Sequence, residues 1–549
     1  MIRAVAFVLC LLALTAAPAP HFYPDDPLAR EPETRSAEGA APQDVGLMYD
    51  LSINLFATSR LDPSGIHAKN VNTIDEVPDS GWFTNRILPR RVSAAELASG
   101  PHTGRPPNAA HWVITREKSA GFSPGFTATD ANGETWFVSF DAPGHPEGAT
   151  AAIVVASNIF WALGYNQVET YITTFDPKTL TIDPKATMKR PNGQRTPMRR
   201  ADVEAILERA ARNPDGTYRA AAGRLLPGKV LGPFRYEGTR PDDPNDLVEH
   251  QHRRELRALR VFGAWTNLTD LKAGNTLDTL VTVDGRPVVR HYLQDVGSTF
   301  GIGANGPHDW DEGFEYFYEG GPSQRRLLTL GLWRSPWQTA HYTEFPSIGR
   351  FEGEAFDPPA WKPHAPTTAF MEMLPDDAFW AARRVAAFDD DLIRAIVHTG
   401  EYSDPAAEAY LAKVLMLRRD KIARAYLPAI APIVEPRLSD AGELTLTNAA
   451  AAAGVGDEAI NYRAEFGQFV NATGATRVVG QAQANHPVLT APQALPSGKG
   501  DMVQVEVTAE AAGHTAWQPV RMYFRRDTAG WTLVGLDRGI GTRGQAAPK

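Results

Sequence analysis

Residues 265–301 read WTNLTDLKAGNTLDTLVTVDGRPVVRHYLQDVGSTFG. Two runs rich in β-branched and apolar residues, 279–283 and 287–293, flank Asp284-Gly285. A two-residue turn of this kind closes an antiparallel hairpin, because both turn positions tolerate the left-handed backbone conformation that matches strand twist. A two-residue loop also fixes the register. Continued outward from the turn, position 275 falls opposite 294 and 274 opposite 295, with facing Cα atoms about 4.5–5.5 Å apart. Asn275 and Asp295 therefore leave the mouth of the hairpin side by side, with Asp270 and Lys272 in the loop just before.

Such a cluster has chemical meaning. Two oxygen donors held together suit a hard divalent cation such as Mg²⁺, which completes its shell with water and substrate phosphates. A further carboxylate can accept a hydroxyl proton, and a lysine beside it can neutralise charge on a transferring phosphoryl group. Positioning and electrostatics do most of the work in that reaction.

The order D-x-K-x-x-N (Asp270, Lys272, Asn275), a short hairpin, then D-x-G (Asp295, Gly297) resembles the catalytic region of the protein-kinase-like fold. The atypical HipA-like, CotH-like and secretory-pathway branches are the most similar. The resemblance implies that Asp270 is the catalytic base, Lys272 a stabiliser of phosphate charge, and Asn275 and Asp295 the metal ligands. It implies ATP and Mg²⁺ as cofactors. It also implies a small lobe with a lysine on a central strand and a glutamate on the next helix. Ser139, in Trp136-Phe137-Val138-Ser139-Phe140, stands at that lysine position, and the helix face around Ala152 and Ile153 offers no glutamate. Lys118 and Glu147 are the displaced substitutes, so Lys118 and Ser139 are assigned to the nucleotide-binding edge. The segment KSAGFSPGF, 118–126, has the glycines of a phosphate-covering loop without the usual spacing.

The fold class expected is multidomain α+β. A two-lobed protein-kinase-like core comprises a small α/β lobe at 106–235 and a large, mainly helical lobe at 236–430. A C-terminal all-β, sandwich-like domain at 431–549 follows, where apolar and polar residues alternate with period two (MVQVEVTAE, PVRMYFRRD, WTLVGLD). Within the core, helices are expected at 149–163, closed by Gly164, and at 199–211, 246–265, 376–388, 390–399 and 406–425. The alanine run 449–453 reads as a loop. Residues 20–105 form a leader and extension: 20–45 is rich in Pro, Ala and charge and reads as flexible, while DEVPDSGWFTNR (75–86) reads as a strap over the large lobe.

Residues 1–19 carry Arg3 and then the apolar run 4–17, the pattern of a secretory signal peptide. The run is shorter than the roughly 20 residues a membrane span needs, and no later run is apolar enough. A periplasmic or secreted location is expected, with no transmembrane segment in the mature chain. The chain has 549 residues, 55 Lys+Arg against 64 Asp+Glu, and a net charge of −9, which argues against a general attraction to nucleic acid or anionic membranes. The single Cys excludes a Cys-based zinc or iron–sulfur site, and no haem is expected.

The remaining motifs carry plainer readings. His250 and His252 are two apart, so on a helix they do not share a face, and surface or hydrogen-bonding roles are expected. Asp309, Asp311 and Glu312 read as a solvated acidic turn, Arg383-Arg384 and Arg418-Arg419 as solvated helix faces, and the aromatics of 310–361 as core. The function expected is an exported Mg²⁺-dependent phosphotransferase whose acceptor is a protein or an envelope glycan. The alternative is a catalytically silent kinase-like scaffold that binds such a partner; a metal hydrolase at the same site is a third reading.

Overall fold

The structure is a computed structural model that describes residues 19–90, 92–118, 123–190, 192–456, 460–511 and 517–539. The expected signal segment, apart from its last residue, lies outside the described residues, as do positions 119–122 of the glycine-bearing loop. No described helix is long and apolar enough to cross a membrane.

Two short helices, α1 (Leu47–Phe56) and α2 (Ala94–Ser99), precede the first sheet. That sheet is built from β1 (Trp112–Glu117), β2 (Gly125–Thr129), β3 (Thr135–Phe140), β4 (Thr170–Phe175), β5 (Leu180–Lys189), β6 (Arg195–Pro197) and β7 (Tyr218–Arg224) in the order β4-β7-β3-β2-β1-β5-β6. Trp136, Val138 and Phe140 alternate into its core, as their period of two requires. The β2–β3 turn forms where expected, with Gly133 at φ 83°. Strands β5 to β7 went unread in the sequence. Their alanines (YRAAAGR) and internal proline (LTIDPKATMK) have low strand propensity; burial between β3 and β4 overrides it in β7, and pairing with β1 and β6 holds the more exposed β5.

Helix α3 (Gly148–Leu163) is buried nearly all round and ends on Gly164 at φ 125°, whose N–H caps the carbonyls of Phe160 and Trp161. A side chain there would collide with the Phe83 ring of the strap. Helix α4 (Arg200–Glu208) packs Val203, Ile206 and Leu207 into the core of the first sheet. Strand β8 (Lys229–Gly232) then joins β9 (Thr276–Val283) and β10 (Arg286–Leu293) in a three-stranded sheet, order β10-β9-β8.

The helical part comprises α5 (Arg254–Thr266), α6 (Gly320–Leu328), α7 (Thr368–Met371), α8 (Pro375–Ala386), α9 (Asp390–His398) and α10 (Pro405–Tyr426). Helix α5 starts later than expected, because the preceding segment spends its polar groups elsewhere. Both histidines there are buried: His250 Nε2 meets Asp246 Oδ2 at 2.8 Å, and His252 Nδ1 faces Arg257 Nη2 at 2.7 Å. The arginine pairs are not solvated faces. Arg384 lies on the Trp380 ring (3.6 Å) and Arg418 on Phe356 (3.9 Å), where aromatic faces and carbonyls replace water. The aromatics of 310–361 divide, with Phe351, Phe356 and Trp361 buried but Trp310, Phe317 and Tyr318 exposed.

The strap docks as its apolar residues suggest. Trp82 stacks on His291 at 3.5 Å, and Asp75 joins Arg254 of α5 (2.6 Å) to Arg538 (2.8 Å). Residues 20–45, expected to be flexible, are tied down. Phe22 packs against Phe469 and Tyr523, Glu31 pairs with the buried Arg253, and Glu33 pairs with Arg290 at 2.5 Å. Polar composition misled there, because the partners lie hundreds of positions away.

The C-terminal region forms two antiparallel sheets. One holds Ile433–Leu438, Glu443–Asn448 and Val488–Thr490; the other holds five strands from Asn461–Val470 to Trp531–Asp537. Leu444 and Leu489 of the first share one buried cluster with Phe466, Val503 and Met522 of the second. The expected loop at 449–453 is a short helix, Ala449–Ala452, because Asn448 Oδ1 accepts the first free N–H groups.

Candidate functional site

The β9–β10 hairpin has the expected register from Val283↔Arg286 out to Thr276↔Leu293. Beyond it the chain tightens into a 3₁₀ turn, Ala273–Asn275, and the N–H groups of Gln294 (3.0 Å) and Asp295 (3.1 Å) both donate to the carbonyl of Asn275. Asn275 Nδ2 donates to the carbonyl of Asp270 at 2.7 Å. Its own Oδ1 is thereby turned away, free to act as an acceptor or ligand. Lys272 Nζ donates to Asp270 Oδ2 at 2.8 Å. Asp295 Oδ1 accepts the Gly297 N–H at 3.1 Å, which leaves its second oxygen uncommitted by that turn. Gly297 passes so close to α3 that a Cβ would meet Ile153 Cγ1 at 2.7 Å, so this glycine sets how near the loop lies to the helix.

The small-lobe residues arrive from another direction. Strand β1 carries a bulge between Ile114 and Arg116, after which Lys118 N–H reaches the Gly125 carbonyl at 3.4 Å. Gly125 in turn pairs with Ser139 across β2 and β3. Lys118, Gly125 and Ser139 thus lie level on three adjacent strands. Lys118 crosses over Gly125, where a Cβ would stand 3.3 Å from its Cδ and collide with the Val138 carbonyl. Its Nζ then donates to Ser139 Oγ at 3.3 Å. Burial lowers the Lys118 pKa, and the Asp295 carboxylate opposes that shift. The ammonium that meets Ser139 on β3 thus comes from beyond the end of β1. Glu147 is not its partner. That carboxylate accepts the Ser403 N–H at 2.9 Å instead, and only the Asp295 carboxylate acts on Lys118 among the described residues.

The six sequence-predicted residues fall into two contact groups, Lys272–Asp270–Asn275–Asp295 and Lys118–Ser139, and the Asp295 carboxylate acts on Lys118 electrostatically across the gap.

The structure adds a group that the sequence did not reveal. His364 N–H donates to the Thr269 carbonyl at 2.9 Å, which lays this residue beside the loop that carries Asp270. Its Nδ1 stands 3.8 Å from Asp270 Oδ1 and its Nε2 2.6 Å from Glu312 Oε2, with the Phe317 ring stacked at 4.0 Å. Glu312 also accepts from Thr269 Oγ1 (2.9 Å) and lies 3.2 Å from His308 Nδ1, while His308 Nε2 meets Ser298 Oγ at 2.9 Å. Burial alone would lower the His364 pKa, but the two carboxylates raise it to about 9. Burial would raise Asp270, yet His364 and Lys272 hold it well below the usual carboxylate range. Glu312 is pulled to about 2 against its own burial, chiefly by His364. His308 is pushed down to about 4, mainly by burial. The turn read as solvated thus contributes a carboxylate to the site. Nothing in the spacing of 309–312 could have shown this, because its partner lies beyond 360.

Asn275 and Asp295 supply neutral and anionic oxygen donors, a set that fits a hard cation such as Mg²⁺. Among the described residues, no three His, Cys, Asp or Glu side chains converge as a metal cluster. No family model matches the chain, and no curated protein matches it. Among solved structures, the chain is similar to the proinflammatory kinase CtkA of Helicobacter pylori, with 12% identity over 58% of this chain and 97% of that one, at a TM-score of 0.32. It is also similar to the Golgi casein kinase, with 11% identity, 73% and 96% coverage and a TM-score of 0.29. A structure of that kinase with Mn and ADP bound matches at 12% identity over 73% of this chain and 96% of that one, at a TM-score of 0.29.

Proposed function

We propose that this protein is an exported, kinase-like phosphotransferase that uses Mg²⁺ and ATP to phosphorylate a protein or glycan of the cell envelope. The observation that carries this reading is the run of contacts from Lys272 through Asp270 and Asn275 to Asp295, whose carboxylate acts electrostatically on Lys118 beside Ser139. A purely structural hairpin has no need to gather two lysines, two carboxylates and an amide at one mouth.

Each residue has a task set by its surroundings. Asn275 Oδ1 and the Asp295 carboxylate would hold the cation, which when bound offsets phosphate charge. Lys118, a half-buried cation on which the Asp295 carboxylate acts, would contact the nucleotide phosphates, with Ser139 fixing its ammonium. Asp270 stays ionised and would accept a hydrogen bond from the acceptor hydroxyl, orienting that oxygen towards the γ-phosphorus. A weak base suffices, because phosphoryl transfer passes through a loose transition state in which the proton leaves late. His364, clamped between Asp270 and Glu312, positions that carboxylate. Lys272 is half exposed and would meet charge developing on the transferred group.

One observation favours the second reading, a catalytically silent scaffold: α3 brings no carboxylate to Lys118, so the clamp on the nucleotide lacks its usual second half. Isothermal titration of ATP with Mg²⁺ separates the two. Saturable binding that Asp295→Ala abolishes, at an unchanged melting transition, is the expected result. The absence of heat with any nucleotide removes ATP from the proposal and leaves the scaffold.

A further inference from the structure

From Gly320 to Thr343 the chain carries no Asp or Glu, in a protein of net charge −9, yet it carries Arg325, Arg326 and Arg334. Within this stretch Leu327, Leu328, Leu330 and Leu332 are 74%, 83%, 90% and 86% exposed. Scattered surface leucines need no explanation, but four within one turn make an apolar tip that the folded chain leaves uncovered.

The base beneath the tip is firmly built. The buried Glu315 carboxylate accepts from Arg326 (2.8 Å), Ser335 Oγ (2.9 Å) and Trp337 Nε1 (2.9 Å), so both ends of the turn are pinned to one group. Leu330 itself has φ +50°, a left-handed conformation that glycine or asparagine adopts at less cost. Neither packing nor backbone preference accounts for a leucine there. Arg325 and Arg334 are exposed at the rim, neither in an ion pair among the described residues, and Arg325 lies 5.7 Å from the centre of the Trp333 ring.

We infer that the turn at 327–332 is a membrane-docking tip, whose leucines enter the headgroup–acyl boundary of an anionic bilayer while Arg325 and Arg334 meet lipid phosphates. An apolar end with a tryptophan and arginines at its edge matches the polarity gradient of that boundary. The net charge excludes attraction of the whole molecule to such a surface, but the acid-free stretch supplies it locally. Phe317 N–H donates to the His364 carbonyl at 2.8 Å, so the base of the tip is continuous with the residue beside Asp270. Docking would present that site towards the membrane surface, and the docking itself does not depend on phosphotransfer.

The test uses the full chain with Cys10→Ser, its only cysteine, and an environment-sensitive fluorophore on Leu330→Cys. The local label separates the tip from the apolar run at 4–17. Vesicles of phosphatidylethanolamine with roughly a quarter phosphatidylglycerol are expected to give a blue-shifted, several-fold brighter emission, absent from the same label on Val478→Cys. Leu328→Asp should abolish it, and Arg325→Gln with Arg334→Gln should weaken partitioning by about fivefold per arginine. An unchanged spectrum at 330 with every vesicle, or an equal change at 478, overturns the proposal. So does concentration-dependent self-association in lipid-free buffer that Leu328→Asp removes, which would assign the tip to a second copy of the chain.

Discussion

The hairpin half of the site and its sheet half, Lys118 and Ser139, differ in how far apart their parts lie along the chain. Asp270, Lys272, Asn275 and Asp295 gather at the mouth of one hairpin, where a two-residue turn fixes the register as far as Thr276↔Leu293 and the 3₁₀ turn Ala273–Asn275 then sets Asn275 against Asp295. Lys118 and Ser139 meet only because a bulge turns the end of β1 and because Gly125 leaves room between them. A local turn makes one half robust to change elsewhere. The other half depends on a single missing Cβ and on three strands keeping level.

Removing the far half tests this contrast most severely. Lys118→Met should cost about 10²–10³-fold in phosphotransfer, the scale of one lost electrostatic contact to developing charge, at an unchanged melting temperature. Combining it with Ser139→Lys returns a lysine to β3, and recovery of part of the lost rate is expected. Failure of the double variant to recover any activity would mean that the position, and not merely the charge, is particular to Lys118.

The next effect belongs to the hairpin half and is read as stability against pH. The folded His364 titrates near 9, above its ordinary 6.5. Its contribution is therefore complete below about pH 6.5 and is lost as pH rises through about 9. Glu312, depressed to about 2, loses its contribution only as pH falls through that value and adds no slope between pH 6.5 and 9. Chemical denaturation should show a fall of about 3 kcal/mol across that window. His364→Gln should flatten it, and an equal slope in that variant would show that Asp270 is held by other means.

The smallest expected effect falls on the glycine between the halves. Gly125→Ala should destabilise by about 1–3 kcal/mol, because the new Cβ meets the Val138 carbonyl and crowds the Lys118 chain. Thermal melting gives the cost. Nucleotide affinity should fall along with stability, and a variant that melts early but binds normally would break the link between Gly125 and the lysine.

These differences follow what was legible. The hairpin, its register and the strap could be counted or read from composition, because their partners are neighbours or their apolar residues announce burial. The alanine strand β7 could not, since Ala220 to Ala222 carry no strand preference and gain their place from β3 and β4. His364 and Glu312 carried no spacing signal, and the buried Arg384 and Arg418 looked like any helix surface until aromatic rings were laid against them. The leader was misread for the same reason: Glu31 finds Arg253, and Phe22 finds Tyr523, only in the folded chain.

By itself the sequence determined that Asn275 and Asp295 leave one hairpin mouth together, because a two-residue turn fixes the register of the strands that end beside them. It also determined the strand patterning of the C-terminal region and the absence of a lysine from β3. Only the tertiary structure decided where the ammonium beside Ser139 comes from, that an imidazole sits between Asp270 and Glu312, and which charged groups are buried. Those outcomes depend on desolvation and on distances between segments remote in the chain, and no local spacing encodes either.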